Sequence, residues 1–243
     1  MIKRNYYKIV RVFPDPSSYF YIKNETMSES MIMFIDGWLS TVNLEYSFDK
    51  VNWKSYNGNF YIPADGYMYL RNTSGTFCTS EYNPVIYVYN NFSIGGDIRT
   101  LFNYTDVESV TKIPDYGFSN PFVFFDNCKC IDISNLSFRG ITEIGNYGLC
   151  QTFSQEWDIT KGIDLRDVTT LGERALYQLY IDKSNLKEVY APNVSTWDEN
   201  KTFMWLSSVA STGVVYKPST LTIPTDNSSG IPSGWTTQDY PVA

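Results

Sequence analysis

Between residues 109 and 194 the chain repeats itself in phase three times, and this periodicity constrains the fold more than any other feature. The first unit opens Val110-Thr111-Lys112-Ile113-Pro114-Asp115-Tyr116-Gly117-Phe118. The second opens Ile141-Thr142-Glu143-Ile144-Gly145-Asn146-Tyr147-Gly148-Leu149, and the third Val168-Thr169-Thr170-Leu171-Gly172-Glu173-Arg174-Ala175-Leu176. The starts lie 31 and 27 residues apart. A second block recurs with the same phase: Lys129-Cys130-Ile131-Asp132-Ile133, Lys161-Gly162-Ile163-Asp164-Leu165 and Lys187-Glu188-Val189-Tyr190-Ala191. Aliphatics at alternate positions point into a coil interior, a small residue between them lets the chain turn, and neighbouring coils bury what one coil cannot. Three coils are close to the minimum for stability, so residues 92–102 are expected as a leading cap and 203–216 as a trailing one. The extra residues at 119–127 and 151–158 are expected to project as loops or carry a short helix.

The stretch before the repeats has a different texture. Tyr19-Phe20-Tyr21-Ile22, a run from Ser30 to Ile35, Phe60-Tyr61-Ile62, a run from Tyr67 to Leu70, and Val85 to Tyr89 are aromatic and β-branched, and a further strand is expected over residues 6–13. Val42, Leu44, Tyr46 and Phe48 alternate with period two and so share one face. Asn57-Gly58 between the Trp53 region and Phe60 is a hairpin-like signal, and Asp36-Gly37 and Asp65-Gly66 mark turns. Strands at this spacing predict a small β-sandwich over residues 13–91, behind a basic arm at 1–12. Residues 92–217 are expected to form the capped solenoid. The Pro-, Gly- and Ser-rich stretch 218–243 is expected as irregular coil pinned by Trp235 and Tyr240. The fold class is therefore mainly β.

Several function classes are disfavoured by what the chain lacks. It contains no histidine, which removes the commonest general base, the usual nucleophile–histidine arrangements and most zinc and iron sites. A carboxylate-pair glycosidase stays open, but the 26 acidic residues are scattered and single out no pair. No phosphate-cradling glycine loop is present, so neither a cofactor nor a catalytic residue is assigned. A net charge of −7 argues against a nucleic-acid partner. Lys3, Arg4, Lys8 and Arg11 give residues 1–12 four positive charges and no acid, leaving −11 on the remainder, so the arm suits an acidic partner. The four cysteines (Cys78, Cys128, Cys130, Cys150) form no paired metal motif and are expected as buried free thiols. Lys8 and Arg11 interrupt any apolar stretch near the start, so no export signal is expected there, and no apolar run is long enough to cross a membrane as a helix.

The second unit resembles the BspA-type leucine-rich repeat, whose units run IxxIGxxAF followed by an aliphatic strand. That likeness covers roughly residues 107–196, with Pro114 replacing the glycine in unit one. Two further segments extend the resemblance. Leu44-Glu45-Tyr46-Ser47-Phe48-Asp49 with Trp53 looks like the leYSxDxxnW strand of a small β domain. The ending Gly230-Ile231-Pro232-Ser233-Gly234-Trp235-Thr236 is similar to a GIPsGWtv terminus. Proteins with this order occur in phages of gut Bacteroidetes, crAss-like phages among them, and in related bacterial surface proteins. The resemblance implies a non-enzymatic virion component of tail, fibre or head decoration, made in the host cytoplasm. It would act in particle assembly or host attachment, contacting other virion proteins and a host-surface glycan or protein, and as a homo-oligomer by analogy.

Alternatives are a bacterial cell-surface adhesin and a carbohydrate-binding or carbohydrate-active protein that uses exposed Tyr and Trp as stacking platforms. Tyr116 and Tyr147 occupy the same place in the first two units, while the third has Arg174 there and Tyr177 slightly later. These three tyrosines are the candidate binding residues, in an imperfect aromatic ladder whose favoured explanation is packing between coils.

Overall fold

The computed structural model describes residues 19–34, 43–56, 58–73, 77–78, 86–124, 128–153, 157–183 and 185–240. The basic arm at 1–12 and the strand expected at 6–13 lie outside the described residues. Among the described residues, eight strands precede the repeats: β1 (Phe20–Asn24), β2 (Ser30–Phe34), β3 (Leu44–Ser47), β4 (Lys54–Ser55), β5 (Phe60–Ile62), β6 (Tyr67–Asn72), β7 (Ile86–Val88) and β8 (Phe92–Asp97). β4, β3, β6, β1 and β8 form one antiparallel run, with Phe20 opposite Leu70 and Ile22 opposite Ile94. β5, β2 and β7 form a second, in which Ile32 faces Phe60 on one side and Val88 on the other. Period-two alternation puts Phe20, Ile22, Met68 and Leu70 inside. Tyr46 of the first sheet meets Phe60 of the second at 4.1 Å between ring centroids.

Two sequence expectations fail in this half for identifiable reasons. Contrary to the hairpin-like signal, the strands on either side of Asn57-Gly58 do not pair with each other. β4 pairs with β3, whereas β5 crosses to β2. Lys54 and Ser55 are exposed while Phe60 and Ile62 are buried, so the chain changes sheets to cover them. Phe48 does not share the face of Leu44 and Tyr46 either. The strand ends at Ser47, whose hydroxyl bonds Asp49, and Phe48 turns outward to 43% exposure against the edge of Tyr46.

The repeats supply β9 (Lys112–Ile113), β10 (Phe122–Phe124), β11 (Cys130–Asp132), β12 (Leu136–Ser137), β13 (Glu143–Ile144), β14 (Lys161–Asp164), β15 (Thr170–Leu171), β16 (Tyr180–Ile181) and β17 (Glu188–Tyr190). Beyond them lie β18 (Leu206–Ser207), β19 (Gly213–Lys217) and β20 (Trp235–Asp239). Equivalent strands stack in parallel: β9, β13 and β15 in one ladder, β14, β17, β19 and β20 in another, β16 and β18 in a third. Lys112, Glu143 and Thr170 stand in register, as do Lys161, Glu188, Val214 and Thr236. The result is a β-solenoid of about four turns. Ile113, Ile144 and Leu171 stack inside it, with Phe118, Leu149 and Leu176 one corner on.

The corners between these ladders lock adjacent coils together. Tyr116, Tyr147 and Arg174 all have φ near +50° to +60° (58°, 54° and 49°), a conformation unfavourable for L residues. Each donates its N–H to the following coil, to Asn146, Glu173 and Asn200 respectively. Asn120, Gln151, Gln178 and Met204 repeat the device at the next corner. Glycine in the IxxIG position has an equally local cause. A Cβ on Gly145 would lie 2.4 Å from the Asp115 carboxylate and 2.7 Å from its backbone nitrogen, and one on Gly172 would lie 2.6 Å from the Asn146 nitrogen. Pro114 is acceptable in unit one because, among the described residues, β9 is the edge strand of its ladder.

The described parts of the inserted stretches, 119–124 and 151–153 with 157–158, are packed against the body rather than projecting, while 125–127 and 154–156 lie outside the described residues. β10 pairs with β7, extending the second sheet; Phe122 and Trp157 are buried against Phe92, and Phe153 against Trp157. Their aromatic bulk fills the space between the first coil and the N-terminal sheets. Nor is the expected trailing cap the end of the solenoid. β18 and β19 belong to a fourth coil, and β20, within the stretch expected to be irregular, pairs with β19 over five residues. Trp235 explains this order: its ring lies on Gly213, where a Cβ would come within 2.5 Å, and its indole N–H donates to the Ala210 carbonyl at 2.6 Å.

Gly145→Ala is expected to lower stability by about 1–3 kcal/mol through overpacking against the first coil, whereas Pro114→Ala should cost less than half as much. Urea unfolding midpoints test this; equal losses would mean that inter-coil contact does not explain the glycine.

Candidate functional site

The three tyrosines singled out by the repeat lie on one edge of the solenoid. Tyr116 and Tyr147 stack with centroids 5.4 Å apart and planes 17° apart. Arg174 then sits 5.7 Å from the Tyr147 ring and 5.5 Å from the Tyr177 ring, and Tyr177 stacks on Phe203 at 6.0 Å. The stripe Tyr116–Tyr147–Arg174–Tyr177–Phe203 is thus continuous across four coils. All three tyrosines are half-buried and Phe203 is exposed. Their ring faces are turned toward one another, so the stripe offers ring edges and polar tips to solvent. A parallel polar ladder runs beside it: Asn146 donates to Asp115 and accepts from the Glu173 N–H.

A second feature is invisible in the sequence because it is a lapse in the stacking. Just before β14 the second coil meets the first: the Asp158 N–H donates to the Cys130 carbonyl at 2.8 Å. The coils then part. β12 pairs with β8 and β14 with β17, and no pairing joins β12 to β14 among the described residues. The opening is a cleft of about 600 Å³, within the range of roughly 300–1,000 Å³ usual for small-ligand sites. Its floor is apolar, with Leu136, Phe138 and Ile163 buried. The Ile163 N–H is satisfied from within by the Tyr180 hydroxyl at 2.7 Å, and burial pushes that phenol's pKa well up.

The rim of the cleft carries three charges of each sign, Arg139, Lys161 and Arg166 against Asp164, Asp167 and Glu188. Arg166 holds Asp164 through two nitrogens, at 2.9 and 2.8 Å, and Lys161 pairs with Glu188 at 3.1 Å. Asp167 accepts the Gly140 N–H at 2.9 Å. The hydrogen bonds to Asp164 raise the Arg166 pKa despite its partial burial. Tyr190 donates its hydroxyl to Glu188, and the Arg166 guanidinium lies 5.4 Å from the Tyr190 ring and 5.9 Å from that of Tyr240. Burial raises the Tyr240 phenol, whose hydroxyl donates to the Ala191 carbonyl.

The family-like motifs turn out to be turn-builders. Asp49 accepts the N–H groups of Asn52 and Val51, the Asn52 amide and the Ser47 hydroxyl, which hold its carboxyl well below the usual range. Trp53 donates its indole N–H to Lys50, and Arg71 lies 3.9 Å over its ring. At the other end Asp226 gathers the N–H groups of Ser228, Ser229 and Gly230. That turn aims the Ser229 and Gly230 carbonyls at the indole N–H groups of Trp197 and Trp205, each at 2.8 Å. All four cysteines are buried free thiols. Among the described residues, no cluster of three Cys, Asp or Glu side chains is placed to hold a metal, and no helix is long and apolar enough to cross a membrane. No family model, curated protein or solved structure matches the chain.

Burial opposes the charge on Asp226, but its N–H donors prevail and hold its pKa at about 2. A folded pKa below the unfolded value contributes stability that is complete above about pH 4 and is lost as pH falls through about 2. The stability advantage of the parent chain over Asp226→Asn should therefore shrink between pH 5 and pH 2 in denaturant titrations. A gap that is constant across this window would remove Asp226 from the account of the tail.

Proposed function

We propose that this chain is a non-enzymatic structural and attachment component of a bacteriophage particle, in its tail, a fibre or a head decoration, and is made in the host cytoplasm. The observation that carries the reading is the interlocked solenoid edge. Every corner from Tyr116 to Met204 is tied by hydrogen bonds to the following coil or chain segment, so the Tyr116–Phe203 stripe is ordered before it meets a partner. A preordered surface loses little conformational entropy on binding, and tyrosine provides contact area with a polar tip. The resemblance of the units to BspA-type leucine-rich repeats, and of the Asp226–Trp235 tail to phage proteins, supports the same reading.

In this proposal the two N-terminal sheets act as a β-sandwich that mounts the solenoid on the particle. The basic arm at 1–12 contacts an acidic virion protein, and the copies associate as a symmetric homo-oligomer. Host-surface glycan or protein is the target of the distal part. Mass spectrometry of purified particles should find the chain at a fixed copy number, and deletion of residues 1–12 should abolish its incorporation. Absence from particles would overturn the virion reading, while normal incorporation of the truncated chain would overturn only the role of the arm.

A further inference from the structure

From the cleft between the first and second coils we infer a binding site for a neutral oligosaccharide, three observations together defining the ligand. The proposal rests on the attachment reading and names the chemistry of its target.

The first observation is charge. Lys161 pairs with Glu188 and Arg166 with Asp164, and Arg139 and Asp167 add one charge of each sign, Asp167 also accepting the Gly140 N–H. An ionic ligand of either sign therefore meets no net opposite charge in the lining and would gain little net attraction. A hydroxyl group, which both donates and accepts, can add to a paired acid and base without separating them.

The second is the contrast between floor and rim. Leu136, Phe138 and Ile163 offer an apolar floor, which suits the C–H faces of a pyranose. The polar rim suits its hydroxyls, and Tyr240 closes one end beside Arg166. Rigid side chains matter here, because Arg166 is held by two bonds to Asp164 and Tyr190 is anchored through Glu188.

The third is the shape of the strand that borders the opening. An extended peptide binds by adding a strand to a regular edge. β14 is irregular, since its register against β17 shifts between Lys161 and Asp164. The Ile163 N–H is also already taken by Tyr180. The edge therefore lacks the even ladder that peptide addition needs, whereas a saccharide needs only side chains and isolated backbone groups.

The test uses the full chain on a glycan array holding neutral oligosaccharides (maltohexaose, chitohexaose and mannan fragments) beside anionic ones such as hyaluronan hexasaccharide, with affinities then measured by calorimetry. A neutral ligand should bind with a Kd that changes less than about twofold between low and high salt, because screening acts on charge–charge attraction. Ser134→Trp, an exposed position on the cleft wall, should weaken binding by at least about tenfold. Thr237→Trp, on exposed β20, should leave it unchanged, with both variants melting like the parent. No neutral ligand on the array, a strongly salt-dependent Kd, or binding indifferent to Ser134→Trp would overturn the proposal. The attachment reading is scored separately by competition of the soluble chain with particle adsorption. Competition without glycan binding sinks the cleft alone, and glycan binding without competition or incorporation sinks the attachment reading alone.

Discussion

The rest of the structure depends on β8, a strand used on both edges. On one side it pairs antiparallel with β1, completing the N-terminal sheet; on the other it takes β11 and then β12 in parallel. Its N–H groups at Phe92 and Gly96 donate to Lys129 and Asn135, and the Ile98 N–H just beyond donates to Ser137. The first coil is therefore laid down on a template. All six residues of β8 are buried, and both glycines are required by close approach: Tyr21 lies over Gly95, and a Cβ on Gly96 would collide with the Tyr19 carbonyl. The strand ends in a buried ion pair, in which Arg99 grips Asp97 and reaches Glu108. Such a pair contributes little net stability, but removing one partner would leave a buried charge uncompensated. Here the pair lies where the chain leaves the sheet for its first turn, and the Arg99 N–H is bonded to the same carboxylate.

Given that template, each coil depends on its neighbour more than on itself. A chain that places non-glycine residues in the left-handed region at two corners of every turn carries a local cost of roughly 1–3 kcal/mol at each. The compensation comes from the next coil, through the N–H bonds that start from those residues. Stability of this kind is a sum of interfaces. Between coils one and two β9 and β13 stay in register while the ladder on the other face opens into the cleft, so the proposed site coincides with a local lapse in an otherwise bonded interface.

Much of the architecture was legible in the sequence. The period of 27 to 31 residues set the stacking register, and β1, β2, β3, β5, β6 and β7 lie where aromatic and β-branched runs placed them. The errors share a cause, since local chemistry says nothing about which distant surface needs covering. Asn57-Gly58 has hairpin composition, yet burying Phe60 outweighed it. Residues 119–124 look like an insertion, yet β7 had a free edge for them. The tail is rich in Pro and Gly, yet Trp235 has a glycine to rest on in the preceding coil. The tyrosine stripe could be anticipated because equivalent positions in a periodic chain must align. The cleft could not, because it arises from a pairing that fails to form, and the residues around it belong to units that otherwise obey the repeat.

The contrast between Pro114 and the glycines at 145 and 172 has a consequence for how such an array lengthens. Among the described residues the first unit, at the edge of its ladder, faces no earlier coil at that corner, while each later unit must leave room for the one before it. Duplication of the second unit yields a segment that fits anywhere in the interior of the stack. Duplication of the first places a proline ring where a backbone must pass. Growth by copying therefore has a permitted source, and the residue at this corner records whether a unit was born at the head of the array or within it.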